Sequence, residues 1–311
     1  MNVAKATGKL KQQIHIFSGK LSAGLPKVVS RFVEDGVYGI QARQSLHLSE
    51  WGRSLGEEIA LGKTINRLSR QLDREGLWES LSERIVGLGA EKIGDSTLLI
   101  VDTGDITKRY AREMEYLGRV RDGSTGELGS GYWTMQVVGC ETGSNQIVPL
   151  YNRLYSTQAP DCDGENSEIL KAVRQVSRGV GKNGVWVIDR GGDRGQLYDY
   201  FLTHHFRFLI RLKGDRYLVH QGRKIIALEL AESCPLPHRD VLVREDSQSE
   251  KVYQLSFGCC EVRLPDFPPA LWMLVIKGFG VEPMMLLTNR PLRKNRAGLL
   301  WVMQSYHTRW R

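Results

Sequence analysis

Val185-Trp186-Val187-Ile188-Asp189-Arg190-Gly191-Gly192-Asp193 is the stretch whose reading decides the fold. Its four large apolar residues, mostly β-branched, suit a short strand buried on both faces. Asp189 closes the run, and the glycines after Arg190 let the chain turn sharply. An acid at the carboxyl end of a buried strand stands where open α/β sheets place their chemistry. An Asp in that position also serves as an ordinary turn residue, so its partners decide its role.

Working outward, Thr97-Leu98-Leu99-Ile100-Val101-Asp102 repeats the pattern of an apolar strand closed by an acid. A polar, glycine-rich stretch from Gly118 to Gly129 follows, then two strands, Trp133–Val138 and Ile147–Tyr151. Ile169, Ala172, Val173 and Val176 mark a helix capped by Asn166 or Ser167. After Asp189 come a helix over Leu197–Thr203 and a strand over Phe206–Ile210. The order is three strands, helix, strand, helix, strand. That is the plan of a ribonuclease H-like α/β fold, a mixed sheet in which the first and fourth strands are neighbours. Asp102 and Asp189 then end adjacent strands. Asp105 and Asp193 are nearby candidates to assist them, although both also read as turn residues.

The flanks differ from this core at 93–213. Residues 214–290 alternate short β-rich runs with turns such as Pro265–Pro269, and read as an inserted β-rich subdomain. Trp272, flanked by Leu271 and Met273, reads as a core strand residue there. Residues 291–311 open a final core helix with Leu299, Leu300, Met303, Tyr306 and Trp310 at helical spacing. It carries Arg309 and Arg311 and has no stop signal, so it reads as cut short.

Residues 1–92 read as an N-terminal helical domain. Lys5, Lys9, Lys11 and Lys20 suggest a mobile or weakly helical arm. Leu48, Trp51, Leu55 and Ile59 mark one helix, and Leu61, Ile65, Leu68 and Leu72 a second, with Gly62 as the turn and Thr64 as the N-cap. This outlines a helix-turn-helix near 48–74. Its second helix offers Asn66, Arg67, Arg70, Gln71 and Arg74, the side chains a recognition helix presents to phosphates and base edges. A solvated helix face has the same composition.

The 43 Lys and Arg against 35 Asp and Glu leave a net charge of +8, which favours a polyanionic partner. Arg207, Arg211, Lys213 and Arg216 are candidates to line a nucleic-acid channel. Five cysteines without a C-x-x-C spacing argue for reduced thiols and against a zinc site. No apolar run approaches the ~20 residues of a membrane span, so the expected location is cytoplasmic, with no membrane partner.

Two acids on neighbouring strands suit a shared divalent metal. Mg²⁺ prefers carboxylate and water oxygens and can clamp the attacking and leaving oxygens of a phosphodiester displacement.

These features resemble the DDE transposases of bacterial insertion sequences, in the branch with a β-rich insertion between the second and third acids. The resemblance rests on Ile100–Thr103, Trp186–Gly191, Phe208–Arg211 and Tyr306-His307-Thr308-Arg309-Trp310. The last matches the start of the signature Tyr-x2-Arg-x3-Glu-x6-Lys. It implies that Asp102 and Asp189 are catalytic metal ligands, with Mg²⁺ as cofactor and Mn²⁺ as substitute. It also implies that Arg190, Tyr306 and Arg309 contact DNA, and that the reaction frees a 3′-OH and joins it to target DNA. The partners implied are double-stranded transposon ends and target, with a homodimer on paired ends. The signature's Glu falls two positions beyond Arg311, so this polypeptide is expected to bind DNA with cleavage lost or severely impaired. Two other readings remain: a non-catalytic DNA-binding protein or inhibitor of a full-length transposase, and a nuclease with a different third acid.

Overall fold

The computed structural model describes residues 3–246 and 249–310. Arg311 lies outside the described residues, as do the side chains of Lys5 and Trp310. The chain divides into two compact units, Met1–Leu88 and Gly89–Arg311.

The first unit is helical: α1 (Val3–Leu21), α2 (Lys27–Arg43), α3 (Leu48–Leu55), α4 (Leu61–Leu72) and α5 (Leu77–Ala90). Leu21, Val29, Phe32, Val33, Trp51 and Leu68 form its core. Gly39 lets α2 approach α3 closely, because a Cβ there would lie 2.8 Å from Trp51 Cβ. The segment read as a mobile or weakly helical arm is a full helix, α1, that buries Ile14, Ser18 and Leu21. The serine within that buried row weakened the apolar period. The helix-turn-helix boundary also moves. Helix α3 stops at Gly56, whose φ of 60° is the left-handed conformation glycine accepts. Gly62 and Thr64 fall inside α4, and Thr64 is buried, its hydroxyl donating to Glu57 Oε2 at 2.8 Å. Ile59 lies in the connection and is half exposed.

The second unit opens with β1 (Leu98–Thr107), β2 (Gly118–Arg121), β3 (Leu128–Cys140) and β4 (Ile147–Tyr155). Strand β3 pairs antiparallel with each of the other three. Helix α6 (Glu165–Val180) leads to β5 (Val185–Ile188), and α7 (Gly195–Thr203) to β6 (Arg207–Arg211). The N-cap of α6 is Gly164 and makes no side-chain cap, so neither Asn166 nor Ser167 has that role. The glycine-rich stretch holds β2 and the start of β3. Val120 is its buried strand residue, between exposed Arg119 and Arg121. An alternation of four residues is too short to stand out in sequence.

Then follow β7 (Tyr217–His220), β8 (Arg223–Ile226), α8 (Ala227–Ser233), β9 (His238–Asp246), β10 (Ser249–Leu264), β11 (Phe267–Lys277) and β12 (Met284–Thr288). Helix α9 (Arg296–His307) and a 3₁₀ turn at Thr308–Trp310 complete the unit. The β-rich segment forms no separate sheet. The strands join in the order β2-β3-β1-β5-β6-β12-β11-β10-β7-β8, with β4 on β3 and β9 on β10. The junction is β12 on β6, where Leu287 pairs with Ile210. Pro268 and Pro269 lie in β11 rather than in a turn, beside a bulge between Val262 and Leu264 where a missing N–H is tolerated.

Strand β5 is buried on both faces, which is why its sequence is continuously apolar. Val185 and Val187 pack with Leu299, Val302, Met303 and Tyr306 of α9. Trp186 faces the other way and stacks on Phe201 of α7, with ring centroids 6.0 Å apart. All five cysteines are free thiols. Among the described residues, no helix is long and apolar enough to cross a membrane.

Candidate active site

The two acids are brought together by strand register. Strands β1 and β5 run parallel, with Leu98 opposite Val185 and Ile100 opposite Val187. Two residues further along each chain stand Asp102 and Asp189. Side chains alternate along a strand, so Asp102 continues the row Leu98–Ile100 and Asp189 the row Val185–Val187. Both rows face α9. The carboxylates are therefore carried to the side of the sheet where α9 ends.

Asp102 does not end its strand. Strand β1 runs on to Thr107, held by β3 alone, with Asp102 opposite Gln136. What stops near Asp102 is the pairing with β5. Asp189 directly follows β5 and caps the 3₁₀ turn Arg190–Gly192, its Oδ1 accepting from the Gly191 N–H at 2.7 Å. A Cβ at Gly191 would lie 2.9 Å from that same oxygen, and one at Gly192 would lie 2.5 Å from Ile188 Cγ2. Gly192 therefore excludes a larger residue, and a side chain at Gly191 would displace the Asp189 carboxylate.

Arg309, on the turn after α9, sits between the acids. Its Nη2 donates to Asp102 Oδ1 at 2.6 Å and lies 3.6 Å from Asp189 Oδ2. The Arg309 side chain is 3% exposed, whereas those of Asp102 and Asp189 are 60% and 43% exposed. One buried guanidinium thus bridges two carboxylates that open to solvent. The donor set is carboxylate oxygen and already attracts a cation, as a hard divalent ion requires. Among the described residues, no group of three or more His, Cys, Asp or Glu is arranged to hold a metal.

The other expected site residues divide sharply. Arg190 is exposed beside Asp189. Tyr306 is fully buried in the core under the sheet, and its hydroxyl has no hydrogen-bond partner among the described residues. It does not reach a DNA surface in this conformation, because helical spacing in α9 turns it inward with Val302 and Met303. Asn66 and Arg70 are exposed on α4. Arg67 is instead committed to Asp35 at 2.7 Å and Glu57 at 2.9 Å, and braces the helical unit.

Neither spare acid joins the pair. Asp105 accepts from the Gly123 N–H and the Thr107 hydroxyl, both at 2.9 Å. Asp193 is fully buried and accepts from Tyr198 Oη at 3.0 Å, the Lys213 N–H at 2.7 Å and Arg216 Nε at 2.7 Å. That partner takes Arg216 out of the proposed channel. Burial next to Asp193 pushes the Tyr198 phenol well above its ordinary value, desolvation being the main cause. Arg207 likewise holds Asp95 at 2.7 Å.

Sequence reasoning missed the brace under Asp189. Arg194 donates to the Gly191 carbonyl at 2.7 Å and pairs with Glu165 at the start of α6. Its only signal was a charged residue five positions after Asp189, indistinguishable from a solvated one.

No family model matches the sequence, and no curated protein matches it. A solved structure does: the piggyBac transposase in a synaptic complex with hairpin DNA, determined by cryo-EM. The match has a TM-score of 0.50 at 12% identity. The fold is similar to that of this transposase. The likeness covers 94% of this chain and 66% of that one, so this chain spans just under two thirds of its structural relative. At that identity the likeness concerns architecture, the mixed sheet with its flanking helices.

Proposed function

We propose that the chain is a DDE transposase of a bacterial insertion sequence, with a ribonuclease H-like core in Gly89–Arg311 and DNA-binding helices before it. The observation that carries this reading is the register-matched pair Asp102 and Asp189 sharing one cation. Asp102 and Asp189 would hold Mg²⁺, with Mn²⁺ as substitute. When bound, such an ion neutralises charge on a phosphodiester and activates the attacking oxygen. The chain's own part is positioning. The Gly191 N–H anchors one Asp189 oxygen and leaves the other turned toward Arg309. Arg190, exposed beside it, meets a phosphate, and Arg309 does so once it leaves the acids. Asn66 and Arg70 contact duplex DNA from the exposed face of α4. Paired ends are held by a homodimer.

The signature's third acid is not among these 311 residues, so DNA binding and cleavage are tested separately. The test uses duplexes carrying the inverted repeats that flank the gene. Affinity is measured across a salt series, and nicking is measured in Mg²⁺ with this chain and with one extended by the downstream codons. Affinity falling with salt, and nicking that appears on extension and vanishes in Asp102→Asn and Asp189→Asn, support the reading. Salt-independent binding, or nicking retained by both variants, refutes it.

The ion pairing of both acids with Arg309 favours a second reading, a DNA-binding protein that inhibits a full-length transposase. It predicts that added chain suppresses transposition in trans and that no extension nicks DNA.

A further inference from the structure

We propose that Arg309 is the counter-cation that assembles the acid pair, and that it must be displaced before a divalent ion can be held there. The inference rests on the metal reading of Asp102 and Asp189.

Three sources of negative charge converge at this point: the two carboxylates and the carboxyl end of α9, whose last carbonyls carry partial negative charge. Asp102 and Asp189 at matched positions on parallel neighbours repel each other unless a cation lies between them. The one provided is Arg309. Its burial beside two partly exposed acids shows that the protein, rather than solvent, holds it in place.

The turn that carries Arg309 is short, Thr308–Trp310. The Thr308 N–H is shared between the carbonyls of Gln304 and Tyr306, and the Thr308 hydroxyl donates to the Gln304 carbonyl at 2.9 Å. Helix ends and short 3₁₀ turns are where local opening starts. A divalent ion shared by both acids competes with the guanidinium that holds Asp102 Oδ1 at 2.6 Å, and like charges exclude each other at that range. Filling the site therefore requires the Thr308–Trp310 turn to swing out. The released guanidinium is then free for a phosphate, a partner it grips in a bidentate fork. Arg309 acts as a positioning residue for the acids, and metal loading and DNA contact are two outcomes of one movement.

The test is direct Mn²⁺ binding, read from the paramagnetic resonance signal of the free ion. It compares the unmodified chain with Arg309→Gln, Arg309→Lys and Asp102→Asn. Arg309→Gln is expected to bind about tenfold more tightly, since one charge-assisted contact to partly exposed acids no longer has to be broken. Arg309→Lys restores affinity toward that of the unmodified chain, and Asp102→Asn loses binding. A purely structural role predicts the opposite sign, because acids without their brace splay apart. Equal or weaker binding by Arg309→Gln overturns the displacement and leaves the metal reading intact. No binding by either the unmodified chain or Arg309→Gln overturns both. Hydrogen exchange on the unmodified chain needs no variant to fold: amides at 306–310 lose protection on adding Mn²⁺. Unchanged protection with the ion bound also refutes the proposal.

Discussion

Replacing Arg216 by Met separates two roles that its sequence context does not distinguish. As a channel residue it would hold DNA; in the structure it neutralises Asp193. The Asp193 side chain is fully buried, and Arg216 reaches it with two contacts, Nε to Oδ1 at 2.7 Å and Nη2 to the Asp193 carbonyl at 2.8 Å. Removing one partner of a buried pair typically costs about 3–5 kcal/mol, because the other charge stays behind. Here the lower end applies. Arg216 is 27% exposed, and Asp193 keeps the Tyr198 hydroxyl and the Lys213 N–H. A loss of about 3 kcal/mol should lower the Tm of the second unit by about 6–12 °C for a unit of this size. Calorimetry of the full chain reads this directly. Replacing both partners by apolar residues should recover much of the loss. In parallel, binding to duplex DNA below the melting temperature should change little. An unchanged Tm with clearly weakened DNA binding would refute the assignment and return Arg216 to the channel. The cluster also ties the loop after Asp189 to the end of β6, through Asp193 Oδ2 and the Lys213 N–H. Its loss should therefore weaken Mn²⁺ binding as well.

Other outcomes follow from the same geometry. Tyr306→Phe removes a buried hydroxyl that has no partner among the described residues, so stability should be unchanged or slightly higher and DNA affinity unaltered in a binding titration. A large affinity loss would mean that α9 rotates on DNA. Arg70→Ala should weaken DNA binding at all sequences and reduce the salt slope by about one. Arg67→Ala should instead destabilise the helical unit on thermal unfolding, because Asp35 and Glu57 lose the more buried of their two arginine partners and keep only Arg31. The Glu57 carboxyl is held below its ordinary value chiefly by the Thr64 hydroxyl, with further help from Arg67 against the opposing cost of burial. A depressed carboxyl stabilises the fold above its unfolded value and loses that contribution as pH falls through the folded one. The helical unit should thus weaken below about pH 4, near the ordinary glutamate value. Thr64→Val should flatten that dependence in unfolding followed by Trp51 fluorescence.

Much of the second unit was legible because the relevant signals are local. The run Val185–Ile188, the helical stripe of α6 and the strand at β6 each announce themselves within a few residues. The adjacency of β1 and β5 came from the order of elements, since few connections satisfy the rules for linking strands through helices. Boundaries set by competing glycines were harder. Gly56 and Gly62 look alike in sequence, and only Gly56 has the left-handed backbone that ends a helix. Strand β2 and the continuation of the sheet into β12 were hidden for another reason. A short alternation carries little signal, and pairing between β6 and β12 joins residues about eighty positions apart.

The amino-acid sequence by itself determined that this chain builds buried apolar strand segments leading into Asp102 and Asp189, and that its Arg-bearing last helix belongs to the same unit. Side-chain alternation and parallel register follow from chemistry carried within each strand. Tertiary structure alone decided which charges meet. It set Arg309 between the two acids, buried Tyr306 beneath the sheet, and spent Arg67, Asp193 and Arg216 on holding the fold. The reason is physical: a charged side chain reads the same in sequence whether it faces water, DNA or a buried partner. Its role is fixed by the desolvation and pairing it meets only once distant segments have packed.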